Sequence, residues 1–172
     1  FVDWPDYETS IPYVREGRPV IVARTFSKIV GLAGMRLGYA IAPKPLIDRM
    51  RPHSIASINA LVKHGGAAAL KDTASQAEVK RVNAELRKKA VADLHALGYE
   101  SIPSECNFFM VHIKRQIQPT IADFRKRGVL VGRPFPPMLE HMRVSVGTAD
   151  EMNRFMVAFK EIFAGARSTS AQ

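Results

Sequence analysis

The sequence predicts an α/β fold, a mostly parallel sheet with helices, followed by a small α+β domain. Three observations carry this expectation. The run Val20-Ile21-Val22-Ala23-Arg24 is β-rich and nearly continuous in apolar character, as in a strand covered on both faces within a parallel sheet. A long amphipathic pattern starts near Ser75 and stops at Gly98. Beyond Gly98 the pattern breaks into short strand-like and helix-like segments.

Taken in order, the strand at 20–24 leads into Gly31, Ala33 and Gly34, small residues that let the backbone turn sharply and approach a ligand closely. A second strand is expected from Leu37 to Ala42. Pro43-Lys44-Pro45 then puts a proline at a helix start, with Leu46, Ile47 and Met50 on one face and an end near Pro52. The Ala- and Gly-rich stretch from His53 to Leu70 is read as helical. Ser75-Gln76-Ala77-Glu78 has the form of a capping box, followed by Val79, Val82, Leu86, Ala90, Leu94 and Leu97 at three- and four-residue steps. A helix over 75–97 would reach about 35 Å, enough to link two domains. Further on, Phe108 to Ile113 is a strand, Pro119 to Arg127 a helix with Ile121 and Phe124 inward, and Val129 to Val131 another strand. Thr148-Ala149-Asp150-Glu151 caps a last helix, whose stripe of Met152, Phe155, Met156, Phe159, Ile162 and Phe163 is core. The expected organisation is a first domain over 1–74, a connecting helix over 75–97, a small α+β domain over 98–164, and a polar, disordered tail over 165–172.

The chemistry concentrates in the run from Thr25 to Tyr39. Lys28 falls just past the carboxyl end of the first strand, where open α/β sheets bind ligands, and the turn that follows can return Arg36 to its side. This arrangement suits a carbonyl cofactor held as a Schiff base on Lys28, with its phosphate bound by the Thr25 and Ser27 hydroxyls and the Arg36 guanidinium. An arginine also interrupts the apolar segment Met142-Arg143-Val144-Ser145-Val146-Gly147-Thr148. Such a charge must find an anion or stay solvated.

Thr25 to Tyr39 resembles the lysine motif of fold-type I pyridoxal-phosphate (PLP) aminotransferases of class I/II, S/T-x-S-K-x-x-x-L-A-G-x-R-x-G-Y, and matches every fixed position. Within that superfamily the chain is most similar to the histidinol-phosphate aminotransferase branch. The segment around Arg143 resembles the family's strand whose arginine grips the substrate α-carboxylate. Ser104-Glu105-Cys106-Asn107-Phe108-Phe109 resembles its S-x-x-N-F segment, whose asparagine lies near bound substrate, and Arg133 matches a second arginine facing the site. The resemblance runs from Phe1 to about Phe163 and corresponds to the C-terminal half of a typical member. It therefore places the aspartate of the family's D-x-A-Y motif just before residue 1, and the glycine-rich phosphate loop, a ring-stacking aromatic and an asparagine further upstream. Phe1 stands where many members have a tyrosine that bonds the cofactor.

What the resemblance implies is an aminotransferase moving an amino group between an amino acid or amino-phosphate and a 2-oxo acid. It also implies a homodimer in the cytoplasm. Two other readings keep part of the pattern: a PLP-dependent decarboxylase of the threonine-phosphate type, and a non-catalytic basic module.

Composition fits a soluble enzyme segment. Of 172 residues, 47% are hydrophobic and 24% charged, enough for a core in one or two small domains. No apolar run approaches a membrane span, and no secretory leader pattern opens the chain. The net charge of +9 raises the question of nucleic-acid binding. However, no aromatic residues interleave with the cations, and Lys80, Arg81, Arg87, Lys88 and Lys89, interspersed with Glu78, Glu85 and Asp93, read as the solvated face of a helix. Anionic cofactor and substrate are the expected balance for the excess. The five histidines show none of the H-x-H, H-E-x-x-H or H-x-x-x-H spacings, so no metal is expected. The single cysteine, Cys106, reads as a small, partly buried thiol.

Overall fold

A computed structural model describes residues 8–54 and 57–164. The readings at residues 1–4 and the tail over 165–172 lie outside the described residues. The chain divides into two compact units, one up to Lys80 and one from Arg81 onward.

The first unit opens on a short helix, α1 (Ile11–Arg15), with a proline in its first turn. Strands β1 (Val22–Thr25) and β2 (Gly38–Ile41) follow, and they pair antiparallel with Val22 opposite Ile41 and Thr25 opposite Gly38. The antiparallel sense of this pair follows from the link between the two strands. The connection over 26–37 holds only a single 3-10 turn, Ala33–Met35, so it turns back instead of crossing over through a helix. Ala23, Arg24 and Thr25 of β1 are exposed among the described residues, where the apolar run predicts covering on both faces.

Helix α2 (Lys44–Met50) has Pro43 at its N-cap position, and Arg51–His53 adds a 3-10 turn at its end. Helix α3 (Ala60–Lys71) is shorter than the predicted 53–70 helix. Its start is fixed by Asn59, whose side-chain Oδ1 accepts from the Leu61 N–H at 2.9 Å and satisfies a first-turn donor.

Helix α4 (Thr73–Ala96) begins two residues before the predicted capping box. The cap is Asp72: its Oδ1 accepts from the Ser75 N–H at 3.0 Å, and this bond, reinforced by the Ser75 hydroxyl, holds the Asp72 carboxyl below the usual carboxylate range. Val79 and Val82, read as inward, are exposed at 39% and 36%; burial of the stripe starts with Leu86 and is complete at Ala90 and Leu94. The stop at Gly98 is as read. The Gly98 and Tyr99 N–H groups close on the His95 and Leu94 carbonyls at 2.8 and 3.0 Å, a Schellman arrangement.

In the second unit β3 (Ser101–Ile102), β4 (Phe108–His112) and β5 (His141–Ser145) form an antiparallel sheet in that order. Strict alternation sends Phe109 and Val111 of β4 and Met142 and Val144 of β5 into the core. Residues 108, 110 and 112 and residues 141, 143 and 145 therefore lie on the other face.

Helices α5 (Ile117–Lys126) and α6 (Ala149–Ala164) complete the core. Phe124 is fully buried, Ile121 packs against the core edge, and the predicted α6 stripe is buried throughout. The α6 capping box forms as read. The Thr148 N–H donates to Glu151 Oε2 at 2.7 Å, and the Glu151 N–H returns to Thr148 Oγ1 at 3.3 Å. The predicted strand over 129–131 is not formed. The Val129 N–H closes α5 by bonding the Phe124 carbonyl, and Gly132 makes the backbone bond to β5, to the Arg143 carbonyl at 3.0 Å.

Candidate active site

Thr25, Ser27, Lys28 and Arg36 all lie on the hairpin of the first unit. Its connection is pinned at both ends: the Phe26 N–H donates to the Leu37 carbonyl at 3.1 Å, and the Leu32 N–H donates to the Phe26 carbonyl at 2.9 Å. Phe26 is the buried anchor, its ring centroid 5.7 Å from that of Tyr39. Gly66 of α3 sits against the Leu37 and Phe26 side chains so closely that a Cβ there would overlap Leu37.

On this frame the two hydroxyls converge. Thr25 Oγ1 donates to Ser27 Oγ at 2.8 Å and accepts from the Ser27 N–H at 3.0 Å. The Ser27 hydroxyl proton is left for an outside acceptor. Lys28 is exposed, and its carbonyl accepts from Gly31 N–H at 3.0 Å. Arg36 takes a left-handed backbone (φ 54) and donates from Nη1 to the Ala33 carbonyl at 2.7 Å, which leaves most of its donors open. No hydrogen bond joins Arg36 to Lys28. From Val22 to Ile41 the chain carries Arg24, Lys28 and Arg36 and no acidic residue. The donor set, two paired hydroxyls and open cations without a carboxylate, fits a phosphorylated carbonyl compound beside an amine.

Asn107, Arg133 and Arg143 lie in the second unit. Arg143 sits on the solvent-side face of β5, with its guanidinium carbon 4.1 Å from the Phe108 ring centroid and 5.6 Å from that of Phe135. Arg133 lies 4.3 Å over the same Phe135 ring and donates to the Pro134 carbonyl at 3.1 Å. Both arginines therefore lie against the Phe135 ring, and among the described residues neither pairs with a carboxylate. The Arg143 Nε is buried without a hydrogen-bond partner. Gly132 permits this packing, since a Cβ there would lie 2.8 Å from Arg143 Cβ and 3.0 Å from its carbonyl oxygen. The Asn107 carbonyl accepts from the Val146 N–H at 2.9 Å, and its side-chain amide bonds no other described residue.

The Phe108 and Phe135 rings and Gly132 carry no signal in sequence that ties them to Arg143, because the contacts cross between segments. Two readings of individual side chains are corrected here. Arg87, read as part of a solvated face, is 3% exposed: it points inward from α4 onto Glu105 and the Cys106 carbonyl. Cys106, read as partly buried, is exposed, because its carbonyl and not its thiol turns toward α4. Among the described residues no group of three or more His, Cys, Asp or Glu could hold a metal, and no helix is long and apolar enough to cross a membrane.

A lysine on an anion-friendly loop and a stacked arginine on a strand face are accompanied by a family match over most of the chain. The model of the aminotransferase class I and II family matches residues 2–159, and the chain belongs to that family. Its relatives include the histidinol-phosphate aminotransferase of Nitratidesulfovibrio vulgaris, 42% identical over 146 residues, which covers 83% of this chain and 39% of that protein. Among solved structures, a protein from Erwinia carotovora atroseptica provisionally classed as a histidinol-phosphate aminotransferase superposes with a TM-score of 0.91 at 30% identity, covering 96% of this chain and 48% of the other. The histidinol-phosphate aminotransferase of Sinorhizobium meliloti, solved in complex with pyridoxal-5'-phosphate, superposes with a TM-score of 0.73 at 27% identity over 87% of this chain and 42% of that one. The chain thus spans less than half the length of each of these relatives.

Proposed function

We propose that these residues belong to a pyridoxal-phosphate-dependent aminotransferase that exchanges an amino group between a histidinol-phosphate-like amino-phosphate, or an amino acid, and a 2-oxo acid. The observation that carries this reading is the hairpin loop, which carries Lys28, the paired Thr25 and Ser27 hydroxyls and Arg36 with no acid in the segment. Thr25, Ser27 and Arg36 would hold the cofactor phosphate through charge-assisted hydrogen bonds. The Lys28 amine would hold the cofactor carbonyl and would serve as the base that moves the proton at the substrate Cα. When bound, the cofactor supplies the electron sink for that proton's departure. Arg143 would clamp the substrate α-carboxylate, its guanidinium carbon 4.1 Å from the Phe108 ring centroid, and Arg133 and Asn107 would bind the same substrate. The family pattern supports a homodimer for the full-length protein.

The test is borohydride reduction of the full-length protein with pyridoxal phosphate, followed by peptide mass spectrometry. A pyridoxyl group on Lys28, lost in Lys28→Ala, is expected; a lysyl adduct that survives in the variant sinks the assignment. Arg143→Gln should raise the KM for the amino donor by about 30-fold or more, as expected for loss of one partner of a charge pair. An unchanged KM removes Arg143 from the site. Product analysis with histidinol phosphate, aromatic amino acids and threonine phosphate should show amino-group transfer; release of CO2 would assign a decarboxylase instead.

A further inference from the structure

Arg87 is the one charged residue buried among the described residues. A buried guanidinium must be paired and hydrogen-bonded, and even then a buried ion pair is a weak source of stability compared with apolar packing. What Arg87 binds is therefore informative. Its Nη2 pairs with the Glu105 carboxylate, and its Nη1 donates to the Cys106 carbonyl at 2.9 Å. Asn83, one turn earlier on the same face of α4, donates to that same carbonyl at 3.2 Å. All three bonds grip the two residues that immediately precede Asn107.

The loop is held from its other side as well. Ser104 Oγ donates to the Phe108 carbonyl at 2.5 Å and accepts from the Cys106 N–H at 3.1 Å, and the Asn107 carbonyl takes the Val146 N–H. With the backbone fixed on both flanks, the Asn107 amide bonds no other described residue and is left open to a ligand. We propose that Arg87, assisted by Asn83, is a positioning residue that sets the Asn107 side chain for substrate by holding the Glu105–Cys106 backbone. The inference rests on the reading of Asn107 as substrate-facing.

The test uses the full-length holoprotein and the variants Arg87→Met, Arg87→Lys, Asn83→Ala and Asn107→Ala, each checked for an unchanged melting curve. With histidinol phosphate as donor, Arg87→Met should raise KM by about tenfold, as for the loss of a supporting shell around a binding group, with kcat changed less. Arg87→Lys should recover part of this. Combined with Asn107→Ala, Arg87→Met should add no further loss, because both act through one side chain. Hydrogen exchange of the peptide covering residues 103–108 should be faster in Arg87→Met than in wild type. A fully additive double variant, or unaltered exchange in that peptide, overturns the proposal. Should Arg87→Met fail to fold, Asn83→Ala carries the same cycle and exchange measurement with a smaller expected rise, about threefold. If wild type does not turn over histidinol phosphate, the functional reading fails on its own, and the exchange measurement still decides whether Arg87 holds the loop.

Discussion

Gly132 and Arg143 are bound to each other by a contact too close for any side chain at residue 132. Alanine there forces the Arg143 stem or the backbone of 129–132 to move, at about 1–3 kcal/mol by the usual cost of overpacking. The expected result for Gly132→Ala is a lowered denaturant midpoint together with a raised KM for the amino donor; wild-type values for both would show that the contact relaxes freely. At this scale the sequence singles out Lys28, Arg36, Asn107 and Arg143 as candidates, because they stand in local patterns of residue type. Their surroundings were not. Phe135 meets Arg133 and Arg143, and Arg87 meets Glu105, only after the chain has folded, and one cation in a charged run looks like the next until burial separates them.

Helices proved readable where the caps are chemical and local, as at Thr148 and Gly98, and misread where a better cap lay a few residues away, as at Asp72 and Asn59. Strand pairing was less accessible. Val129-Leu130-Val131 has the residue types of a strand, but residue types cannot disclose whether a partner edge accepts the segment, and here it forms no ladder with β5. The α6 cap also sets a pH dependence. The Thr148 N–H and hydroxyl hold the Glu151 carboxyl below its ordinary range. A depressed carboxyl stabilises the folded state at neutral pH, and this contribution is lost as pH falls through the folded-state value. Glu151→Gln should therefore melt lower than wild type at pH 7, with the two melting temperatures converging on acidification below the ordinary glutamate range. A gap that does not vary with pH would show that the charge plays no part in the cap.

Across the molecule, burial is uneven. Among the described residues, sixteen apolar residues from Ala90 to Phe163 form one buried cluster, while the buried hydrophobics of the first unit are Phe26 and Val62, and Ile21, Met35, Leu61 and Leu70 stand exposed. Few buried contacts mean cheap local opening. In native-state hydrogen exchange of this chain under mild denaturant, amides of β1, β2 and α3 should open well before those of β4, β5 and α6; simultaneous opening would contradict this. The fold class was visible in the sequence as alternating patterns, yet the unequal share of core was not, since exposed Leu61 and buried Leu94 look alike as letters. Phe135 carries a last consequence. With both guanidiniums against one ring, Arg133 and Arg143, the proposed anion-binding pair, share a single support. A disturbance of either is inherited by the other, so the free energies of their substitutions should not sum.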